Sequence, residues 1–228
     1  MECLVCGHSV DDALTLGQLL GWSPIEDAQV CETCATRFEW INGHTCPGCG
    51  HPQPTTVLCS QCEMWQSTVG FLLTNQSLLH YNDALHDFMQ RYKFVGDYRL
   101  RTVFANALET KIREQQADVV VPIPINPATW QTRGFNQVTG MLPTIGWQPL
   151  LTTRSQEKQQ RQSQKNRAQR LATAQPFRLN EVVLNGTIQN KKVLLVDDVY
   201  TTGRTLYHAA QLLWDLKPAT VRCITLAR

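Results

Sequence analysis

Two adjacent carboxylates, Asp197 and Asp198, follow a short apolar run and precede a turn rich in hydroxyl groups and glycine. The apolar run, residues 193–196, is typical of a buried parallel strand. Carboxylates at the carboxyl end of such a strand lie where open α/β sheets bind ligands, and they can accept hydrogen bonds from neighbouring sugar hydroxyls. The turn, residues 201–205, leads into the amino end of a predicted helix, which favours a phosphate group. The pattern therefore predicts a site for a phosphorylated sugar.

The same residues resemble the phosphoribosyl pyrophosphate (PRPP) signature of the type I phosphoribosyltransferases: apolar residues, two acids, two further residues, then T-G-x-T. The resemblance implies that Asp197 and Asp198 are catalytic and hold the ribose 2′- and 3′-hydroxyls. It also implies that the turn binds the 5′-phosphate through Thr201, Thr202, Gly203, Arg204 and Thr205. A buried strand ending in a solvated turn is the alternative, but it leaves the composition of the turn unexplained.

Eight of the nine cysteines form four C-x-x-C pairs, which are Cys3/Cys6, Cys31/Cys34, Cys46/Cys49 and Cys59/Cys62. In a reducing compartment such pairs indicate metal sites rather than disulfides. Four thiolates form the tetrahedral shell that zinc prefers, and closed sites of this kind are structural. We therefore expect two Zn²⁺ ions that take no part in catalysis, in a segment that unfolds without its metal.

The four C-x-x-C pairs are predicted to combine sequentially, the first with the second and the third with the fourth. The longer loop between the first two pairs includes a predicted short helix at residues 11–20. Interleaved pairing, and one ion beside a degenerate second site, are the alternatives. A redox role is a further alternative, which four pairs in so short a segment disfavour.

Length and composition limit the class of protein. The 228 residues suffice for one α/β domain and a small module, and a formal net charge of +2 argues against a polycationic nucleic-acid binder. No apolar run approaches the roughly 20 residues that span a bilayer, and the chain does not start with a basic and then apolar signal. These features predict a cytoplasmic protein without a transmembrane segment.

Several elements must position the predicted site. Apolar spacing predicts a helix over residues 76–94 and a second over 98–115, separated by Gly96 and Asp97. A further helix over 205–216 and a closing strand over 220–226 follow the acids. Lys93 ends the first helix, and two alternatives stay open for it: a side chain that reaches the site, or a solvated lysine.

Residues 118–125 form a predicted strand that ends in a proline-rich loop. By the same resemblance this is the first strand of the phosphoribosyltransferase and its pyrophosphate loop. Such loops often contain an unusual peptide bond, and two alternatives stay open here: a cis bond at Val121-Pro122 or Ile123-Pro124, or the usual trans form. The predicted pyrophosphate contacts are Val121, Pro122, Ile123 and Pro124. Arg133 and Gln137, from the motif R-G-F-N-Q, are predicted ligand contacts, Arg133 with a catalytic role; simple packing is the alternative.

Residues 152–170 hold six basic residues against one acid and almost no apolar side chains, so we expect a mobile surface loop. Such a loop can close over a bound sugar and exclude water, with its cations balancing the charge of a departing pyrophosphate. It can instead follow a nucleic-acid backbone.

The motifs run in the order of the ComF family of competence proteins: four C-x-x-C pairs, K-F-x-G-D, V-P-I-P, R-G-F-N-Q and V-D-D-V-Y-T-T-G. The resemblance covers essentially the whole chain, although the basic loop is longer and richer in glutamine than the family pattern. It implies a double zinc ribbon at residues 1–66. It also implies a type I phosphoribosyltransferase fold, a parallel sheet flanked by helices, at residues 76–228.

The resemblance also implies a function, which is natural transformation by uptake of single-stranded DNA in partnership with a ComFA-like ATPase of the helicase type. The implied site binds PRPP with Mg²⁺ and transfers phosphoribosyl to an unknown acceptor, releasing pyrophosphate. The implied location is cytoplasmic, peripheral to the membrane through a DNA-uptake complex. The alternative is a non-catalytic adaptor that holds single-stranded DNA or a helicase and uses the PRPP site as a sensor.

Overall fold

The structure, a computed structural model, describes residues 2–10, 29–154, 175–180 and 188–228. In that part of the chain six strands form, which are β1 (Thr74–Leu79), β2 (Val119–Pro122), β3 (Leu151–Thr153), β4 (Phe177–Leu179), β5 (Lys192–Val199) and β6 (Thr220–Ala227). Four of them make a parallel sheet in the order β1-β6-β5-β2, while β3 and β4 pair in an antiparallel ribbon. The predicted α/β class with a parallel sheet is confirmed.

The helices of the described residues lie on both faces of the sheet. They are α1 (Glu32–Ala35), α2 (Ser60–Val69), α3 (Asp83–Gln90), α4 (Arg101–Glu114), α5 (Pro127–Arg133), α6 (Gln137–Gly140) and α7 (Arg204–Trp214). A π-helical turn, Arg91–Val95, continues α3, and a 3₁₀ turn, Tyr98–Leu100, leads into α4. None of these helices has the length and apolar character that crossing a membrane requires.

Strand β5 lies inside the sheet and separates two buried clusters. Val193 and Leu195 pack in one cluster with residues of α7, whereas Leu194 and Val196 pack in the other with residues of α3 and α4. Because both faces are covered, the strand is apolar at consecutive positions rather than alternate ones. The continuous apolar run in the sequence therefore identified this strand correctly.

The predicted helix over residues 76–94 is wrong in its first part. Residues 74–79 form β1, which pairs with β6, and the helix begins only at Asp83. Asn82 caps that helix, since its side chain accepts a hydrogen bond from the backbone N–H of Leu85 at 3.0 Å. Pairing with β6 decides the conformation of β1, because the partner strand lies about 150 residues away and leaves no local signal. Strand β2 is consequently the second strand of the domain, not the first.

The amino-terminal segment that contains the four C-x-x-C pairs, described at residues 2–10 and 29–66, packs directly on the sheet, and we call it the Cys-rich segment. The N–H of Ile41 donates to the carbonyl of Leu78, and the N–H of His80 donates to the carbonyl of Glu39, both at 2.8 Å, so the segment covers the outer edge of β1. The N–H of Asn75 donates to the carbonyl of Gly48 at 2.6 Å. The predicted boundary at residue 66 falls inside α2, and the division into two domains stays a prediction.

Two other predictions meet the limits of the described residues. Thr152 and Thr153 belong to β3 and not to the predicted surface loop. Residues 155–170 of that loop lie outside the described part of the chain. The predicted helix at residues 11–20 lies outside it as well. Every peptide bond in the described ranges is trans, so of the two alternatives for the proline-rich loop the structure has the trans form.

Candidate functional site

The two acids stand at the carboxyl end of β5, and both are buried, Asp197 at 7% and Asp198 at 6% exposure. Because successive strand residues point to opposite faces, Asp197 lies on the α7 side of the sheet and Asp198 on the side of α3 and α4. The N–H of Asp198 donates to Oδ1 of Asp197 at 2.9 Å. Burial, and next the charge of Asp198, raise the pKa of Asp197 well above its usual value. The structure therefore gives the two acids different surroundings.

Asp198 is ion-paired with the ammonium group of Lys93, and both side chains are mostly buried. Lys93 belongs to the π-helical turn that ends at Gly96, where φ is +79°. Single π-turns of this kind often occur at functional sites. Of the two alternatives for Lys93, the structure supports a side chain that reaches the acids.

Arg133 lies beside this ion pair at the end of α5. Its Nε donates to the carbonyl oxygen of Lys93 at 2.9 Å, and its Nη1 donates to Oε1 of Gln137. The guanidinium also lies 5.8 Å from the ring centroid of Phe94. Burial lowers the pKa of Arg133, while the nearby Asp198 carboxylate opposes that shift. The predicted contacts Arg133 and Gln137 thus meet at one place, next to Asp198.

Two residues that hold the site together were not among the predicted site residues. The hydroxyl of Tyr92 donates to the carbonyl of Gln137 at 2.9 Å, and its ring packs against Phe135 at 5.1 Å. Nδ2 of Asn136 donates to the carbonyl of Ile123 at 2.9 Å, while its Oδ1 caps α6. Asn136 therefore ties the R-G-F-N-Q motif to the proline-rich loop. The signal in the sequence for Asn136 is an asparagine placed directly before a short helix, where its side chain can act as the N-cap.

The proline-rich loop offers few amide donors. Pro122 and Pro124 have no N–H group, and the N–H of Ile123 donates to the carbonyl of Val196 at 2.9 Å. Val121 lies in β2 and is fully buried. These residues shape the edge of the site, and their contact with pyrophosphate stays a prediction.

The turn after the acids is open to solvent at four of its five residues, and only Gly203 is buried. Gly203 has a φ of +78° and precedes the first residue of α7. The N–H groups at the start of α7 and the helix dipole favour an anion here. The structure thus places the predicted phosphate turn at a helix amino terminus, on the surface beside the buried acids.

Replacement of Gly203 by Ala should destabilise the protein more than the same change at Gly70. Both glycines have φ near +79°, so alanine is strained at each by about 1–2 kcal/mol. A Cβ at Gly70 meets open space, whereas one at Gly203 would lie 2.6 Å from Cζ of Tyr200, which adds about 1–3 kcal/mol. Thermal unfolding should show the larger loss for Gly203→Ala. Equal melting temperatures for the two variants would contradict this close packing.

The eight paired cysteines form two groups of four, which we call the first tetrad (Cys3, Cys6, Cys31, Cys34) and the second tetrad (Cys46, Cys49, Cys59, Cys62). Within each tetrad the sulfur atoms lie within 4.8 Å of one another, in the sequential pairing that was predicted. Burial opposes ionisation of Cys46, but backbone N–H groups, that of Cys49 first, lower its pKa to about 6. Four thiols at this separation fit the tetrahedral shell of zinc.

Comparison with known proteins agrees with this fold. The family model of the phosphoribosyl transferase domain matches residues 99–228, more than half of the chain. Among solved structures, the allosteric regulatory enzyme of purine biosynthesis aligns with 55% of this chain and 26% of its own, at a TM-score of 0.34 and 17% identity, a likeness too low to bear on function.

Relatives match over most or all of the chain. Competence protein ComFC of Streptococcus pneumoniae is 35% identical over 100% of both chains. Competence protein ComFC of Bacillus subtilis is 31% identical, over 99% of this chain and 94% of its own. Competence protein F of Haemophilus influenzae is 25% identical, over 87% of this chain and 96% of its own. This chain belongs to the ComF family of competence proteins, with a phosphoribosyltransferase domain at its carboxyl-terminal end.

Proposed function

We propose that this chain binds PRPP and transfers its phosphoribosyl group to an acceptor, with release of pyrophosphate, as part of natural transformation. The observation that carries the proposal is the juxtaposition of a buried carboxylate, Asp198, and two cations, Lys93 and Arg133, at the carboxyl end of β5. The turn at residues 201–205, which is open to solvent at four of its five residues, directly follows them. A sugar held by carboxylates and a phosphate held by a helix amino terminus match the two ends of PRPP.

Each group of residues has its own part in this reaction. Asp197 and Asp198 hold the ribose hydroxyls, and the turn from Thr201 to Thr205 holds the 5′-phosphate. The loop at residues 121–124 bounds the pyrophosphate end, where Arg133 and Gln137 supply polar contacts. Binding a ligand at both ends fixes the anomeric carbon in place, and such positioning supplies much of the rate enhancement in group transfer.

The bond changes follow from the chemistry of PRPP. The bond from C1 of the ribose to the pyrophosphate oxygen breaks, and its electron pair leaves with pyrophosphate. The acceptor forms the new bond to C1 with a lone pair and loses a proton to solvent. In this proposal Lys93 and Arg133, which lie together beside Asp198, supply the positive charge that stabilises the departing pyrophosphate. Carboxylate oxygens suit Mg²⁺, which when bound would neutralise part of the negative charge of PRPP.

The Cys tetrads are proposed to hold one structural Zn²⁺ ion each. The four thiols of each group leave no open position for a substrate, so the ions would stabilise the fold and take no part in phosphoribosyl transfer. The proposed setting is cytoplasmic, at the inner end of a DNA-uptake complex with a ComFA-like ATPase. Support comes from the names of the relatives, which are competence proteins.

Calorimetric titration with PRPP in the presence of Mg²⁺ tests the proposed site. We expect saturable binding of one PRPP per chain, together with pyrophosphate release that depends on an added acceptor from a panel of nucleobases and amines. A titration of the wild-type protein without heat or saturation would contradict the proposed function. Binding without release for any acceptor would favour the non-catalytic alternative below.

A non-catalytic adaptor for single-stranded DNA is the second candidate, because aromatic side chains stand exposed beside the site. Phe94 is 71% and Trp130 is 54% exposed, and Arg133 lies near the ring of Phe94. Bases of a single strand stack on such side chains, and arginine contributes to the same contact. Binding of an oligonucleotide that weakens steeply with salt and is lost in Phe94→Ala would support the adaptor. No binding at low salt would exclude it.

A further inference from the structure

The side chain of Trp65 joins the Cys-rich segment to the phosphate turn. Trp65 lies on α2, three residues after Cys62 of the second tetrad. Its indole N–H donates to the backbone carbonyl of Thr202 at 2.8 Å. Its ring stacks on Tyr207 of α7, with centroids 4.4 Å apart and an angle of 11° between the planes. One half-buried side chain therefore contacts both the turn and the helix that follows it.

The bond to Thr202 has a direct consequence for the anion-binding face of the turn. The carbonyl of Thr202 and the N–H of Gly203 belong to one planar trans peptide unit, in which they point in opposite directions. When Trp65 holds the carbonyl, the N–H of Gly203 is held pointing away from α2. Exposed turns change conformation at a low cost in free energy. A single hydrogen bond can therefore measurably favour one orientation of this peptide.

Two cysteines of the second tetrad lie at the start of α2. Cys59 is the N-cap of α2, and Cys62 lies in its first turn. The N–H of Cys59 donates to Sγ of Cys46 at 3.4 Å, and the N–H of Cys62 donates to the carbonyl of Cys59 at 2.9 Å. A metal ion on these sulfurs would fix the first turn of α2, and with it the indole group of Trp65.

We propose that Trp65 is a positioning residue for the 5′-phosphate of the sugar ligand, through which helix α2 of the Cys-rich segment supports ligand binding at the turn. This inference rests on the proposed function. It adds a role for the Cys-rich segment within the same site. In this proposal Trp65 orients the peptide between Thr202 and Gly203 through its hydrogen bond to Thr202. The peptide, and not Trp65, contacts the 5′-phosphate.

Replacement of Trp65 by Phe removes the indole N–H and retains an aromatic ring against Tyr207. Calorimetry should show affinity for ribose 5-phosphate, and for PRPP with Mg²⁺, reduced about fivefold, the equivalent of one neutral hydrogen bond. Affinity for pyrophosphate alone should not change, because that ligand occupies the other end of the site. Trp40→Phe is the matched control, since Trp40 is 46% exposed and packs against Phe104 instead. Zinc content should be the same in all three proteins.

A second measurement uses the wild-type protein. The NMR signal of the Trp65 indole N–H, identified by its absence in Trp65→Phe, should exchange with solvent more slowly when ribose 5-phosphate is added. Pyrophosphate should leave that rate unchanged. Unaltered ribose 5-phosphate affinity in Trp65→Phe, or equal weakening of both ligands, would overturn the positioning role while PRPP binding by the wild type stands. Failure of the wild type to bind ribose 5-phosphate and PRPP would overturn the proposed function as well.

Discussion

Replacement of Asp198 by Asn should reduce the affinity for PRPP by about 10- to 100-fold, as calorimetry in the presence of Mg²⁺ would measure. The change keeps the size of the side chain and removes its negative charge. A hydrogen bond from a ribose hydroxyl to a charged acceptor contributes about 1.5–3 kcal/mol, which corresponds to this range. The loss also leaves Lys93 without its ion-pair partner in a largely buried position, so the empty site changes its charge as well.

Asp118→Asn is the control for this experiment. Asp118 directly precedes β2, and its Oδ2 accepts a hydrogen bond from the N–H of Lys192, the first residue of β5, at 2.8 Å. Asp118→Asn therefore removes one carboxylate at the opposite end of these strands from the site. Its PRPP affinity should equal that of the wild type. Thermal unfolding of both variants separates ligand effects from folding effects. PRPP affinity in Asp198→Asn within twofold of the wild-type value would contradict the assignment of Asp198 to the sugar.

Loss of metal from the second tetrad should cost far more stability than loss from the first. Metal analysis of the pure protein should find two zinc ions per chain, and Cys62→Ser should retain one. Cys62 is fully buried and belongs to the same apolar cluster as β2, β5 and α7, so its loss should lower the melting temperature by about 10 °C or more. Chelation of both ions should have at least the same effect.

Cys6→Ser provides the comparison within the first tetrad. Cys6 is exposed, so this variant should also lose one zinc ion but with a smaller fall in melting temperature. Cys223→Ala is the control for cysteine replacement in the core, because Cys223 is buried yet belongs to neither tetrad, and its zinc content should stay at two. A larger fall for Cys6→Ser than for Cys62→Ser would contradict the placement of the second tetrad in the core.

Local pattern was sufficient for much of the fold. The apolar run of β5 predicted a strand covered on both faces, and helices α4 and α7 were predicted within a few residues of their observed ends. The C-x-x-C spacing predicted the pairing in which the two tetrads are found. These features are local, because strand apolarity, helix periodicity and thiol spacing each depend on neighbours close in the chain.

The wrong prediction over residues 76–94 shows where local pattern fails. Leu78, Leu85 and Phe88 occur at spacings that suit a helix, and only the last two lie on one. Residues 74–79 become a strand because β6 and the Cys-rich segment pair with them on either side. No short window of sequence contains those partners, so propensity alone could not decide this case.

The sequence by itself determined the chemical groups of this protein: two acids before a hydroxyl-rich turn, eight thiols in four pairs, and the cations Lys93 and Arg133. Tertiary structure alone decided how those groups meet. It separated Asp197 from Asp198 by the alternation of the strand, brought Lys93 to Asp198, and set Trp65 against Thr202 from 137 positions away. The physical reason is that side-chain chemistry is a property of single residues, whereas distances between remote residues exist only once the sheet and its two buried clusters have formed.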